Sequence, residues 1–165
     1  MHKATAYHDE FGDFFAQHAG TSPYNAYIDR PAMLRLAGDV AGDRILDVGC
    51  GAGHYAAELL ARGAEVVGVD GSATLLGHAR DRVNGRAELH LHDLESPLRF
   101  AADASFDGVI CALVFQHVRD VLGAGFVLER LIEPRPVDDL RDVDEASYDR
   151  LSQAPSFLAA RLRRP

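Results

Sequence analysis

Arg44 to Asp70 reads RILDVGCGAGHYAAELLARGAEVVGVD, and the order of its parts decides the fold. Arg44 to Cys50 is a short, largely apolar run that predicts a buried strand. Gly53 to Arg62 predicts a helix, stopped by Gly63 at the C-cap position. Ala64 to Asp70 predicts a second strand. Strand, glycine-rich turn, helix and strand in that order make a right-handed crossover between parallel strands.

The alternation continues toward the C-terminus. Ser72 is placed to cap a helix running to Val83, which Asn84-Gly85 ends. Ala87 to Asp93 (AELHLHD) alternates like a third strand. Pro97 to Ser105 reads as irregular, and Phe106 to Val114 (FDGVICALV) as a fourth strand. The regularity then fades. Phe115 to Gly123 predicts a short helix, Phe126 to Ile132 a strand ended by Pro134 and Pro136, Asp138 to Ser152 a charged helix, and Phe157 to Arg163 a last strand. Toward the N-terminus, Tyr7, Phe11, Phe14, Phe15 and His18 share one helix face. Gly20 to Pro23 breaks that helix. Asp29 and Pro31 start another, with Met33, Leu34, Leu36 and Ala37 directed inward. The fold class expected is α/β, a parallel sheet with helices on both faces.

The first strand ends in Gly49-Cys50-Gly51-Ala52-Gly53. Glycines let a backbone turn tightly and approach a ligand closely. The helix that follows offers unpaired N–H groups and a positive dipole end. The same composition also serves a plain strand–helix connection. The dinucleotide fingerprint G-x-G-x-x-G requires a third glycine at position 54, where this chain has His54. Asp70 ends the second strand, where a carboxylate accepts hydrogen bonds from ribose hydroxyls; it can equally cap a helix. Asp93 ends the third strand, where it can accept from an adenine amino group or serve as a turn residue. Three successive strand ends with fitting polar residues count for more than any one of them.

At these residues the chain resembles the class I S-adenosylmethionine (SAM)-dependent methyltransferases. ILDVGCGAGHYAAELLARGAEVVGVDGSATLLGHAR resembles their first motif and following unit. HDLESPL with FDGVICALVFQHV is similar to their adenine loop and fourth strand, and PYNAYIDRPAML to the segment ahead of the first motif in small-molecule members. The resemblance implies a Rossmann-like sheet and SAM as cofactor, with S-adenosylhomocysteine (SAH) as product. It implies cofactor contacts from Asp47, Gly49, Cys50, Gly51, Gly53, Asp70, Gly71, Asp93 and Leu94, with Cys111, Ala112 and Leu113 near the sulfonium. His117 is the best-placed general base, ahead of His92 and His54, although a histidine there also serves structure. Tyr7, Tyr24 and Tyr27 are placed to close over a sulfonium by cation–π contact, or simply to pack.

The resemblance breaks after Asp120. The family's fifth strand and substrate-covering insertion are not found, and VLGAGFVLERLIEPRP resembles the family's end. One domain over 1–165 is expected, shortened, with N-terminal helices (1–43), a cofactor-binding core (44–120) and a C-terminal helix and strand pair (121–165). In the family the sheet runs 3-2-1-4-5-7-6. Loss of strand five would force the seventh strand onto the fourth or leave an open edge, which invites a homodimer.

Composition narrows the class of function. The chain has 165 residues, 47% hydrophobic and 25% charged, with formal net charge −8. That suits one globular domain and disfavours a nucleic-acid partner. Arg161, Arg163 and Arg164 read as a solvated tail. No apolar run is long enough to span a bilayer. The N-terminal residues have no secretory pattern, so a cytoplasmic location is expected. Cys50 and Cys111 show no metal-ligand spacing, no metal is expected, and both read as reduced thiols near each other at neighbouring strand ends. The expected function is methyl transfer from SAM to a small molecule. The alternatives are a SAM/SAH-binding domain without turnover and a nicotinamide-dependent oxidoreductase.

Overall fold

A computed structural model describes residues 9–94, 96, 98–100, 105–112, 127–153 and 159–163. They group into two compact units, Met1–His18 with Asp39–Arg119, and Ala19–Gly38 with Asp120–Pro165.

The first unit carries the parallel sheet. Its strands are β1 (Arg44–Val48), β2 (Glu65–Asp70), β3 (Glu88–Leu91) and β4 (Gly108–Cys111), in the order β3-β2-β1-β4. All three pairings are parallel. β1 and β2 are interior strands with both faces covered, so they read as continuous apolar runs. Ile45 and Leu46 are buried on β1, and Val66, Val67 and Val69 on β2. Leu46, Val67 and Val69 pack with Val48, Leu94, Leu98 and Phe106. Helix α3 (His54–Ala61) joins β1 to β2, and α4 (Ala73–Val83) joins β2 to β3. Ser72 caps α4 by accepting the Leu75 N–H at 3.2 Å, and Asn84 closes it in the left-handed conformation, both as expected from the sequence.

Helix α1 (Asp9–Ala19) forms as expected, with much of its aromatic face in solvent. Phe11 and Phe14 are more than half exposed, while Ala16 is buried against Ala52 and Leu75 with Phe15 beside them. The short side chains allow the close approach, and Asp13 ties α1 to His78 of α4 at 2.6 Å. β3 is shorter than Ala87 to Asp93 and stops at Leu91. The His92 N–H then donates to the Asp70 carbonyl at 2.9 Å, so Asp93 lies beyond the strand. On α2 (Arg30–Ala37), which follows a π-helical turn over Asn25–Asp29, Ala32, Leu34 and Leu36 are buried; Met33 and Ala37 are only half-buried. The single helix expected over Asp138 to Ser152 is two, α5 (Asp139–Val143) and α6 (Glu145–Gln153). Asp144 breaks it with an extended backbone and accepts the Ser147 N–H at 2.9 Å. These bonds to Ser147 hold the Asp144 carboxyl below its ordinary range.

The second unit is built from α2, α5, α6 and an antiparallel pair, β5 (Val127–Ile132) with β6 (Ala159–Arg163). Ile28, Leu140 and Leu151 form its core with Tyr24, Tyr27 and Tyr148. Two of the three tyrosines considered for the site thus pack in this core; Tyr7 lies outside the described residues. Among the described residues β4 pairs only with β1, and β5 and β6 only with each other. The helix expected over Phe115 to Gly123 also lies outside the described residues.

Candidate functional site

The carboxyl ends of the strands are level. Val48 pairs with Val69 on one side and Cys111 on the other, and Asp70 pairs with Leu91. This register brings Asp47, the turn Gly49 to Gly53, Asp70, Gly71, Cys111 and Ala112 to one sheet edge. Asp93, exposed, and Leu94, half-buried, follow β3 at the same edge. Leu113 and His117 lie outside the described residues.

The turn is fixed by its own backbone and by its neighbours. Gly49, Gly51 and Gly53 all have positive φ (69°, 53° and 76°), a region costly for residues with a Cβ. The N–H groups of Gly49 and Cys50 both donate to the Val69 carbonyl, at 2.8 and 3.0 Å. The Gly51 N–H donates to Asp70 Oδ2 at 2.9 Å, and the Ser72 N–H to Asp70 Oδ1 at 2.8 Å. One carboxylate therefore ties the glycine turn to the head of α4. Two glycines of the turn do different work. A Cβ on Gly53 would sit 3.0 Å from Ala79 of α4, whereas a Cβ on Gly51 would meet nothing within 4 Å. Gly53 lets two helices approach; Gly51 faces open space.

Asp47 lies one residue before the end of β1, between Gly68 of β2 and Ile110 of β4. It is 1% exposed, and its Oδ2 has no hydrogen-bond partner among the described residues. The Ala56 N–H of α3 donates to the carboxyl. Burial, with Asp70 nearby, pushes the Asp47 pKa up to about 7 despite that bond. The cysteines feel the same surroundings. Cys50 is buried and Cys111 half-buried, and both are free thiols. Burial pushes the Cys111 thiol up to about 11 and Cys50 further, with the Asp47 charge adding to both. They are poor nucleophiles, since the thiolate is the reactive form.

Two contributors were missed in the sequence. Arg82 Nε donates to the Ala52 carbonyl at 2.7 Å, and Ala79 supplies the small surface under Gly53. An arginine and an alanine on a helix carry no signal of that task. Among the described residues no group of three or more His, Cys, Asp or Glu is placed to hold a metal ion.

Residues 45–131 match the family model described as a methyltransferase domain, which is more than half of the chain. The chain belongs to the methyltransferase-domain family. Its likeness to curated members is confined to part of each. The magnesium-protoporphyrin O-methyltransferase of Rhodobacter capsulatus is 37% identical over 56% of this chain and 42% of the relative. The ubiquinone biosynthesis O-methyltransferase of Alkalilimnicola ehrlichii is 38% identical over 62% of this chain and 42% of the relative. The chain thus spans less than half the length of these relatives. Among solved structures, a SAM-dependent methyltransferase from Mesorhizobium loti aligns with TM-score 0.66 at 19% identity, covering 88% of this chain and all of that one. A TehB-like SAM-dependent methyltransferase from Corynebacterium glutamicum aligns with TM-score 0.64 at 19% identity, covering 93% of this chain and 98% of that one. Those two likenesses show the fold, the Rossmann-like sheet of the methyltransferases. The β3-β2-β1-β4 order of this methyltransferase domain is the 3-2-1-4 half of the order expected from the sequence.

Proposed function

We propose that this methyltransferase domain binds SAM along the carboxyl ends of β1 to β4 and serves methyl transfer to a small molecule, releasing SAH. The observation that carries the reading is the glycine turn anchored to Asp70, open at Gly51, above a buried carboxylate with an unmet oxygen. Buried polar groups are rarely left unpaired without a reason. That arrangement fits a polar, cationic nucleoside cofactor. SAM supplies an already activated methyl group, so the protein's part is orientation and exclusion of water.

In this reading Gly49, Cys50, Gly51 and Gly53 approach the methionine end of the cofactor. Asp70, which anchors the turn, accepts from the ribose hydroxyls, and Gly71 lets the ribose lie close. Asp93 and Leu94 take the adenine, and Cys111 and Ala112 line the floor. His117 is the proposed base for an acceptor that must lose a proton. The relatives named above are O-methyltransferases, which supports an oxygen acceptor. We read 1–165 as one SAM-binding domain acting in the cytoplasm, with a homodimer as a further partner state. Among the described residues no helix is long and apolar enough to cross a membrane.

A second reading, SAM or SAH binding with little turnover, is favoured by one observation: among the described residues β4 has a strand neighbour on one side only.

The test is calorimetry of the purified protein with SAM, SAH and NAD. SAM and SAH should bind and NAD should not. Asp70→Ala should weaken SAH by about 1–3 kcal/mol, the range for losing a hydrogen bond to a charged group. Unchanged SAH affinity in that variant would sink the assignment. Methylation of a small acceptor separates the first reading from the second.

A further inference from the structure

The Asp47 carboxyl is a buried acid placed between two demands. Its Oδ2 has no partner among the described residues, and the side chain is 1% exposed. The glycine turn begins two residues later. The Ala56 N–H, from the first turn of α3, stabilises the ionised form, while burial and Asp70 favour the protonated one. The elements around Asp47 carry Arg44 on β1, Glu65 on β2, Tyr55 and Glu58 on α3, and His78, Asp81 and Arg82 on α4, besides the groups nearer the turn. Asp70 ends β2 and is held by two N–H groups. Cys50 lies in the turn and Cys111 at the end of β4, both thiols held neutral. His54 heads α3. Arg80 on α4 makes itself felt at Cys50. Arg82 of the same helix gives its Nε to the Ala52 carbonyl, and Asp47 Oδ2 itself has no hydrogen-bond partner among the described residues.

We infer that Asp47 is a proton-linked counter-charge: a cationic group bound at the glycine turn and a proton on Asp47 compete, so cofactor binding expels that proton. The inference rests on the SAM-binding reading above. The physical step is simple. An added positive charge near a buried carboxyl favours its ionised form. The cofactor brings such a charge in its amino group, which SAH shares with SAM. The oxygen left unmet in the free protein then gains a counter-ion, and the proton leaves to solvent. Near neutral pH the exchange is possible because Asp47 is still substantially protonated there. Linkage sets the sign: affinity rises with pH while the free protein holds the proton and the complex does not, by at most tenfold per pH unit, and levels off once both are ionised.

The experiment is calorimetry of SAH binding to the full chain between pH 5.5 and 8, in paired buffers of different ionisation enthalpy. The expected result is release of up to one proton per SAH at the acid end, fading toward pH 8, with affinity rising over the same interval. Asp47→Asn should bind SAH with a flat pH profile and no proton release. SAH binding by the unmodified protein with no proton exchange, or with proton uptake, overturns the inference and leaves the SAM-binding reading standing. Failure of SAH to bind at any pH overturns both. Should Asp47→Asn not fold, the proton count on the unmodified protein decides alone.

Discussion

The two ends of one sheet treat their polar groups in opposite ways. At the amino end, each nitrogen of the Arg44 guanidinium has a partner. Its Nε meets Glu65 at 3.1 Å, its Nη2 lies 3.7 Å from Glu88, and its Nη1 donates to the Ser105 carbonyl at 3.0 Å. Its guanidinium also lies 4.7 Å over the Phe106 ring, and its backbone N–H donates to Asp107 Oδ2 at 2.8 Å. One side chain there links residues of β2, β3 and the approach to β4. At the carboxyl end, three residues along the same strand, Asp47 is buried with an oxygen unmet. The glycines there hold positive φ, and Gly51 opens on empty space. The amino end is finished as it stands. The carboxyl end stores unmet polar demand, and in open parallel sheets that is the end where ligands bind.

The sharpest way to break this contrast is to remove the buried charge. Asp47 has an ordinary pKa of 3.8 when unfolded and about 7 when folded. Between those values the folded protein keeps a proton that the unfolded chain gives up, so stability falls as pH rises from about 4 to about 7. Above 7 the burial cost is complete. Asp47→Asn has no proton to lose. At pH 8 it should be more stable than the parent by about 1–3 kcal/mol, less than the full shift implies because a buried amide also needs partners. The advantage should vanish near pH 4. Urea unfolding at the two pH values checks it, and equal parent and variant stability at pH 8 would show that the carboxyl end carries no such cost.

The glycines divide the contrast more finely. Gly53→Ala places a Cβ 3.0 Å from backbone and side-chain carbons of Ala79 at φ 76°. Gly51→Ala meets no atom and bears only the left-handed strain, about 1 kcal/mol. Gly53→Ala should therefore lose about 2 kcal/mol of stability, strain and crowding together. Gly51→Ala should lose less stability but proportionately more SAH affinity, since its Cβ points where a ligand would lie. Thermal unfolding beside SAH titration of both variants separates them. Equal loss of affinity in the two would mean that the turn faces ligand along its whole length.

How much of this was legible beforehand follows from the range of the forces involved. The βαβ alternation, the Ser72 cap and the Asn84-Gly85 stop were readable because periodicity and capping are local. So was the ordering of β1 to β4, once Asp47 to Gly53 was recognised. The length of β3 was not. Leu91 is its last paired residue because the partner strand ends at Asp70, a fact about another segment. Which face of α1 is buried was not legible for a similar reason. The aromatic residues share one face, yet Phe11 and Phe14 lie out while Ala16 fits against Ala52 and Leu75. Small residues win where elements must approach closely, and size alone does not announce that. In the site, Asp47 and Asp70 were visible as motif positions. That Asp70 holds the Gly51 amide and that Arg82 holds the Ala52 carbonyl depends on tertiary placement.

The smallest effect tests whether the two ends of the sheet are independent. Arg44→Met keeps the apolar stem and removes the guanidinium. The lost ion pairs are partly exposed, with Arg44 at 33% and its carboxylate partners at 68% and 56%, so solvent screens them and each contributes little. The bond to the Ser105 carbonyl and the contact over Phe106 add modestly. The total loss should be about 1 kcal/mol in urea unfolding, smaller at high salt because exposed pairs are screened further. SAH affinity should stay within about twofold, since Arg44 starts β1 and the glycine turn follows its far end. Each β-strand residue advances about 3.3 Å, which puts the changed group well over 10 Å from the turn, beyond the range at which substitutions usually couple. A stability loss with unchanged SAH binding supports a finished amino end and a separate binding end. A tenfold loss of SAH affinity in Arg44→Met would show that strand register, set at the amino end, also holds the carboxyl end in shape.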